Sequence, residues 1–353
     1  MENTVIINSI GNATPGASKV LSDALKVPQD YILKLLYNAP SILFQKVDKD
    51  TAEKAESTLT KLGLDVSICT KDDTVDLTTE LIDISVSIDN ILMLPKVLEQ
   101  LSVFLGCKQS EVLNLMLNEP SIVLGNVSVA TAKALQKRTD ANVHFSNPRK
   151  DIYTILISKK AGNTSLKNIE KLLKTKATET AEAFVIENVS YDHSQLLWRQ
   201  YQSNKAVKLL NQSHQLVSIV LEDFDVENEA HTNFLTEKVG MPKEILADIH
   251  EALPITLFEN INRNQAKTIN ADCDNIGLNT AIEKDFNFKK KLHISAIEDA
   301  ENAIKILAQF IAEENLPKTN ATSWTSNEEV PPLIARYLLA QLEQIQCNPE
   351  IIN

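Results

Sequence analysis

The feature that most constrains the fold of this chain is a short segment that recurs. Residues 38–43 read Asn-Ala-Pro-Ser-Ile-Leu, and residues 118–123 read Asn-Glu-Pro-Ser-Ile-Val. Residues 253–257 read Leu-Pro-Ile-Thr-Leu at the corresponding point of a third copy. Internal repetition predicts several small units of one architecture, because each copy must bury its own apolar face or pack against a neighbour.

The first copy predicts the element order βααβαβ. Alternating apolar residues predict its strands, and apolar residues at helical spacing predict short amphipathic helices. Pro28 is compatible with the first turn of the second helix, whereas Pro40 must lie beyond its end. Asp48 is expected to cap the third helix, and Gly63 to follow its last turn. In chain order, the expected segments are a strand at 4–10, helices at 17–25 and 28–39, a strand at 41–47, a helix at 48–62 and a strand at 64–68.

The apolar residue that ends the second strand serves as a ruler for the repeat. It recurs at Val47, Val127, Val189, Ile261 and Val330, with spacings of 80, 62, 72 and 69 residues. We therefore predict an α+β protein of about five tandem βααβαβ modules, each a small three-stranded sheet covered by helices. The expected modules are residues 1–72, 73–149, 150–212, 213–286 and 287–353.

Two of these modules are degenerate copies. In residues 150–212, the segment 178–183 stands at the position of the second helix, but nothing there corresponds to Pro40. In residues 287–353, a polar insertion at 317–329 stands where the other modules have the second helix and strand. The third module is therefore predicted from periodicity alone, and the fifth from its flanking elements.

The first copy resembles the C-terminal domain of the bacterial ribosomal stalk protein. The shared features are the βααβαβ order, the Asn-Ala-Pro-Ser turn at 38–41 and the pattern Ala-Glu-x-x-x-x-x-Leu-x-x-Leu-Gly-x-x-Val at 52–66. The modules at 73–149 and 213–286 share the resemblance in part, and the other two share its outline. The resemblance implies a fold related to that of the Clp-protease adaptor.

The same resemblance implies a protein-binding surface on the first two helices, where basic residues of that family recruit translational GTPases. Lys19 and Lys96 fall at the first of those basic positions. The next basic positions are occupied by Ser22, Asp30 and Leu33. Trp324, which lies between Ser and Thr in the polar insertion, is a further candidate for an interface anchor.

Composition bounds the kinds of partner. A net charge of −12 opposes a general nucleic-acid surface. No segment reaches the roughly 20 apolar residues that span a bilayer, and the N-terminus lacks a secretory leader pattern. The 4 cysteines are scattered, which is typical of free thiols in a cytoplasmic protein. In that compartment, Asn-x-Ser triplets such as Asn126-Val127-Ser128 carry no meaning as glycosylation sites.

No arrangement of reactive residues predicts an active site. The 6 histidines have no metal-ligand spacing, and the 8 glycines form no phosphate-binding loop. Asp192-His193-Ser194 contains the residue types of a catalytic triad, but consecutive residues cannot face one another in those roles. We therefore expect no catalytic, cofactor-binding or metal-binding residues, no enzymatic activity and no cofactor.

The leading hypothesis is a non-enzymatic, multivalent protein-interaction scaffold or adaptor, because linked weak sites gain avidity without new contacts. Its protein partners are not identified by the sequence. One alternative is a structural subunit of a larger assembly or filament, a homo-oligomer joined through the open edges of its sheets. The other is an enzyme or ligand-binding protein with a site between modules.

Overall fold

A computed structural model describes residues 2–70, 77, 79–118, 120–159, 163–180, 183–284 and 290–352. The chain divides into two compact units. The first unit comprises residues 1–148 together with 291–352, and the second comprises residues 149–290. The first unit is therefore discontinuous in sequence.

The helices and strands alternate in short runs throughout the described chain. The first part of the first unit contains β1 (Asn3–Ser9), α1 (Gly16–Leu25), α2 (Gln29–Tyr37), β2 (Ser41–Val47), α3 (Lys49–Lys61), β3 (Asp65–Thr70), β4 (Leu81–Ser87), α4 (Leu94–Leu105), α5 (Gln109–Met116), β5 (Ile122–Ser128), α6 (Val129–Gln136) and β6 (Asn142–Ser146). The second unit contains β7 (Ile152–Ser158), α7 (Asn163–Leu173), β8 (Thr178–Glu179), β9 (Ala183–Ser190), α8 (Tyr191–Tyr201), β10 (Val207–Asn211), β11 (Leu216–Asp223), α9 (Glu229–Asn233), α10 (Leu246–Glu251), β12 (Ile255–Asn262), α11 (Arg263–Ile276) and β13 (Asn279–Glu283). The first unit is completed by β14 (Lys291–Ile294), α12 (Ala300–Leu307), β15 (Trp324–Thr325), α13 (Pro332–Glu343) and β16 (Pro349–Ile352).

The strands of the described residues form five small antiparallel sheets, which confirms the α+β class. In chain order, their strand orders are β2-β1-β3, β5-β4-β6, β10-β7-β9-β8, β12-β11-β13 and β15-β14-β16. We call them the first to the fifth sheet. In each sheet, the strand that comes first in sequence lies between two later strands and pairs with both. The third sheet has a further strand, β8, which pairs with β9 at the edge.

A bulge recurs at the same point of four sheets. In the first sheet Asn3 pairs with Val47 and Val5 pairs with Phe44, so β2 carries one residue more than β1 over this stretch. The same register is repeated in the second, third and fourth sheets. The corresponding pairs are Ile82–Val127 and Ile84–Leu124, Tyr153–Val189 and Ile155–Ile186, and Val217–Ile261 and Ile219–Phe258. A second shift, from Val5–Phe44 to Ile6–Ile42, recurs in the second and fourth sheets but not in the third.

Each of these bulges contains a residue with a left-handed backbone. The residues are Lys46 (φ 56°), Asn126 (φ 59°), Asn188 (φ 59°) and Asn260 (φ 55°), each directly before a ruler residue. Asparagine is one of the few side chains that visits this conformation readily. The triplet Asn126-Val127-Ser128 therefore has a structural role in the bulge, which its comparison with a glycosylation signal did not indicate.

The residue after each ruler position is the N-cap of the helix that follows. Asp48 Oδ1 accepts a hydrogen bond from Thr51 N at 2.9 Å, which confirms the expected cap of α3. Asn262 Oδ1 accepts from Asn264 N at 2.9 Å in the same way at α11. Gly63 follows α3 with φ 90°, and a Cβ there would lie 2.8 Å from Ala13 N, so the position requires glycine.

Two sequence expectations for the degenerate copies were wrong. Thr178–Glu179 form strand β8 rather than part of a second helix, and they pair with Val185 and Phe184, so the third sheet has four strands instead of three. Within the polar insertion 317–329, Trp324–Thr325 form a short second strand that pairs with Ile294 and His293. In both places strand pairing decided the conformation: the partners of β8 lie five and seven residues later in β9, whereas the partners of β15 lie 30 and 32 residues earlier in β14.

The main apolar core of the first unit is shared between the first two sheets and their helices. It joins buried residues of β1 and α2, such as Ile7 and Leu36, to Leu101, Phe104 and Leu135 of α4 and α6. In the second unit, separate clusters lie behind the third and fourth sheets. Across the described residues, no helix combines the length and apolarity that crossing a membrane requires.

Candidate functional site

The two predicted lysines lie on the first helices of the first two sheets but differ in their contacts. Lys19 is exposed on α1, and no hydrogen bond or ion pair involves its ammonium group among the described residues. Lys96 on α4 places its Nζ 2.7 Å from Asp140 Oδ2. Hydrogen bonds from Lys96 and then Gln100 hold the pKa of the Asp140 carboxyl below its usual value. The ammonium of Lys96 is therefore already engaged within the fold.

Matching hydrogen bonds show that these two lysines are not at equivalent positions. Ser22 Oγ donates to Val27 O at 2.6 Å, and Ser102 Oγ donates to Cys107 O at 2.6 Å. These serines are 80 residues apart, the same spacing as Val47 and Val127. In this register Lys19 corresponds to Glu99. The sequence resemblance had matched Lys19 with Lys96, which lies about one helical turn earlier.

Trp324 is half-buried and makes contacts inside the fifth sheet. Its Nε1 donates to Asn315 O at 3.1 Å, and its ring packs against the apolar cluster of α12 and α13. The polar atom of the indole is thus used within the first unit. No hydrogen bond or ion pair between described residues joins Trp324 to Lys19 or Lys96, so the structure does not assemble the three into one site.

Large apolar side chains are exposed on the helices of several sheets. Val20 of α1 and Tyr31 of α2 are 52% and 54% exposed, and Val103 of α4 is 51% exposed. Leu196 and Trp198 of α8 are 49% and 51% exposed. Exposed apolar side chains of this size suit protein contacts.

A joint between the helices of the first two sheets is centred on Tyr37. Its hydroxyl donates to Phe104 O at 3.2 Å, and the two ring centroids lie 6.3 Å apart. Thr131 Oγ1 of α6 donates to Tyr37 O at 2.7 Å. Burial raises the pKa of Tyr37 to about 12, and the positive charge of Arg138 opposes this only in part. The phenol therefore stays protonated as a hydrogen-bond donor.

Arg138 completes the joint from the end of α6. Its Nη1 donates to Ala13 O at 2.8 Å and lies 3.5 Å from Gly11 O. Its guanidinium carbon sits 4.9 Å from the centroid of the Phe104 ring, a cation–π distance. Burial lowers the pKa of Arg138, but an arginine remains charged at neutral pH. The loop after β1 is thus tied to α6.

A cleft of about 480 Å³ lies beside this joint, between α6 and the end of β1. Its polar lining consists of Asn8, Ser9, Asn12, Asp65, Lys133 and Lys137. Asp65 receives weak hydrogen bonds from Asn8 Nδ2 at 3.4 Å and from Ser9 Oγ at 3.5 Å. Within the described residues, no hydrogen bond or ion pair involves the ammonium group of Lys133 or of Lys137. One wall is therefore cationic, and the opposite wall offers a carboxylate and amides.

The described residues offer little else for chemistry. No group of three or more His, Cys, Asp or Glu side chains among them is arranged to hold a metal ion. Ser194 Oγ donates to Tyr191 O at 2.7 Å, and His193 Nδ1 lies 3.2 Å from Ser190 Oγ at the start of α8. These contacts belong to the first turn of a helix, and they direct Ser194 away from His193.

Comparisons of the chain with protein-family models, with curated proteins and with solved structures found no match. The site residues that sequence reasoning missed are Arg138, Lys133 and Lys137. The lysine spacing of four residues on the exposed face of a predicted helix was visible in the sequence. That this face meets the end of β1 depends on packing between distant segments.

Proposed function

We propose that this chain is a non-enzymatic, multivalent protein-interaction scaffold or adaptor built from tandem βααβαβ modules that resemble the ribosomal stalk C-terminal domain. The shared middle position of the first strand and the recurring bulges support descent of the modules from one unit. The first two helices form the contact face of the first, second and fourth modules in this proposal. The third and fifth modules are the divergent members.

The observation that carries the proposal is that equivalent positions keep their buried side chains and change their exposed ones. At a spacing of 80 residues, buried Leu21 and Ile32 correspond to buried Leu101 and Val112. The exposed positions Lys19, Asp23 and Tyr31 correspond to Glu99, Val103 and Glu111, so charge and polarity change at each. Such a pattern preserves the fold and diversifies the surface, which favours different contacts on each module.

Linked surfaces of this kind gain affinity through effective concentration. A partner or assembly that touches two modules binds more tightly than either contact alone would allow, provided that the geometry permits both. The recurring bulges disfavour the filament alternative at one sheet edge, because an irregular edge strand is a poor template for pairing with another chain. Because avidity adds to the affinity of each contact, the binding of a partner to any single module can remain weak.

The proposal is tested by affinity capture from extracts of the organism that makes the protein, with quantitative mass spectrometry. We compare the full chain with Lys19→Glu/Tyr31→Ser on the first module and with Val103→Ser on the second. The control is Leu196→Ser/Trp198→Ser, which changes equally exposed apolar residues outside the first two helices. We expect each of the first two variants to lose a different subset of partners, with unchanged melting temperature.

Identical capture by the wild type and both contact-face variants would refute the scaffold. Loss of the same partners from all three variants would also contradict it, because it would indicate a general effect of surface polarity. A light-scattering measurement accompanies the capture. A large discrete particle formed by the purified chain would favour the assembly alternative instead.

A further inference from the structure

We propose that the cleft between α6 and the end of β1 binds a small polar molecule that carries a carboxylate or phosphate group and at least one hydroxyl or ammonium donor. This inference goes beyond protein contacts, because it assigns a small-molecule ligand to the joint between the first two sheets. It rests on the charge of the two walls, the volume between them and the contacts that hold them together.

The cationic wall is the first argument. Lys133 and Lys137 are four residues apart, so their side chains leave the same face of α6. Like charges at this spacing oppose each other and weaken the helix. Neither ammonium is neutralised by another described residue, although the chain as a whole carries a net charge of −12. An anionic group bound between them relieves this repulsion.

The opposite wall sets the second requirement. The Asp65 carboxylate accepts only long hydrogen bonds from Asn8 and Ser9, so it retains capacity for a better donor. Asn12 borders the same space, and no hydrogen bond to its side chain occurs among the described residues. A ligand that is anionic at one end and donates hydrogen bonds at the other matches both walls. Phosphorylated sugars and acidic amino acids have this character.

The size of the cleft argues for a small organic molecule. About 480 Å³ falls within the range of roughly 300–1,000 Å³ that is typical of small-molecule sites. Such sites occur preferentially at the boundaries between packed parts of a protein, and this cleft lies where elements of the first two sheets meet within the first unit. An inorganic ion would fill only the space near the lysines and leave the Asp65 wall unused.

The walls are held in place before any ligand arrives. Arg138 ties the end of α6 to the carbonyls of Gly11 and Ala13, and Thr131 ties its first turn to Tyr37 O. Gly11 has φ 53°, and a Cβ there would lie 2.5 Å from Gly63 O, so this loop packs closely against the end of α3. A site whose walls are preorganised loses less entropy on binding.

The test is isothermal titration calorimetry of the full chain with four probes: inorganic phosphate, L-glutamate, glucose 6-phosphate and glucose. We expect glucose 6-phosphate or L-glutamate to bind most tightly, phosphate more weakly and glucose not at all. Lys133→Ala/Lys137→Ala is expected to weaken binding by about tenfold or more, because charge-assisted hydrogen bonds are lost. The matched control is Lys167→Ala/Lys171→Ala, an exposed pair with the same spacing on α7.

The variant Asp65→Asn tests the contribution of the Asp65 wall independently of the lysine wall. It should weaken the binding of L-glutamate or glucose 6-phosphate and leave phosphate unchanged or tighter, because a negative charge near the site is removed. The proposal is overturned if neither L-glutamate nor glucose 6-phosphate binds below about 5 mM, since ordinary metabolite sites bind more tightly. It is equally overturned if the control pair weakens binding as much as the cleft pair. All variants change exposed residues, and unchanged melting temperatures confirm that they are folded.

Discussion

The joint between the first two sheets and the connection between the third and fourth sheets each link two neighbouring sheets, but they are built from different kinds of side chain. In the first unit, Tyr37, Phe104 and Arg138 fill the joint with large side chains carried on helices. In the second unit, the connection is the five-residue segment 211–215, which reads Asn-Gln-Ser-His-Gln. Four of its residues are buried, although all five are polar.

This polar connection depends on hydrogen bonds. Asp151 Oδ2 accepts from Asn211 Nδ2, and Asp151 Oδ1 accepts from Ser213 Oγ, both at 2.7 Å. Gln212 Nε2 donates to Thr154 Oγ1 at 3.0 Å, and Asn262 Nδ2 donates to Ser213 O at 2.7 Å. The comparison indicates that the stability of an apolar joint falls when side-chain volume is removed, whereas the stability of a polar connection falls when a single hydrogen-bond partner is removed.

The largest expected effect is at the apolar joint. Phe104→Ala should lower the free energy of unfolding by about 3–5 kcal/mol, because it leaves a cavity and removes the ring beneath Arg138. Urea unfolding followed by circular dichroism measures this. The neighbouring Val103→Ala, at an exposed position of the same helix, should change stability by less than about 0.5 kcal/mol. Similar losses for the two variants would contradict this description of the joint.

Replacement of Arg138 should have the next largest effect. Arg138→Met keeps much of the side-chain volume but removes the donors to Ala13 O and Gly11 O, so we expect a loss of about 2–3 kcal/mol. Lys137→Ala changes the adjacent, exposed cation and serves as the control. A stability loss as small as that of the control would show that the guanidinium is dispensable.

The decrease in the free energy of unfolding at alkaline pH should depend in part on the ionisation of Tyr37. Its pKa is 10.0 in the unfolded chain and about 12 in the folded one, so between these values the unfolded state binds fewer protons. Stability is therefore expected to be unaffected by this group below pH 10 and to fall by about 2 kcal/mol as the pH approaches 12. Tyr37→Phe should lack this part of the decline. Since burial also raises the pKa of Tyr337, the difference between wild type and variant is the quantity to measure.

The polar connection should respond to the loss of one acceptor. Asp151→Ala leaves Asn211 and Ser213 without the carboxylate, and we expect a loss of about 1–2 kcal/mol. Asp151→Asn retains one oxygen and should be milder. Thermal unfolding of both variants tests this order. If alanine were no worse than asparagine, the connection would be held by packing rather than by these hydrogen bonds.

The smallest effect concerns the bulge that both units share. Asn126→Val in the first unit and Asn188→Val in the second place a β-branched residue at φ 59°, and each should cost about 1 kcal/mol. Asn126→Gly and Asn188→Gly are the controls, since glycine adopts this conformation freely. If the two valine variants lose the same amount of stability, the bulge behaves alike in both units, whatever the chemistry that links their sheets. A large difference between the two losses would contradict this.

The local features of the chain were readable from its sequence. The α+β class, the strand and helix order around residues 3–70, the Asp48 cap and the glycine at Gly63 follow from periodicity and from conformational preferences within a few residues. The Asn-Val-Ser signal at residues 126–128 was also present, but its bulge is recognisable only once the register of β4 and β5 is known.

Tertiary structure alone decided what required partners distant in sequence. Trp324 lies in a strand because Ile294, 30 residues earlier, pairs with it. Thr178–Glu179 pair with the nearby β9, but β9 is itself placed by its pairing with β7. Lys133 and Lys137 face Asp65 only because α6 packs across the end of β1. Helical caps and periodicity act over a few residues, whereas sheet pairing and a cleft depend on contacts whose energy appears only when the whole unit has folded.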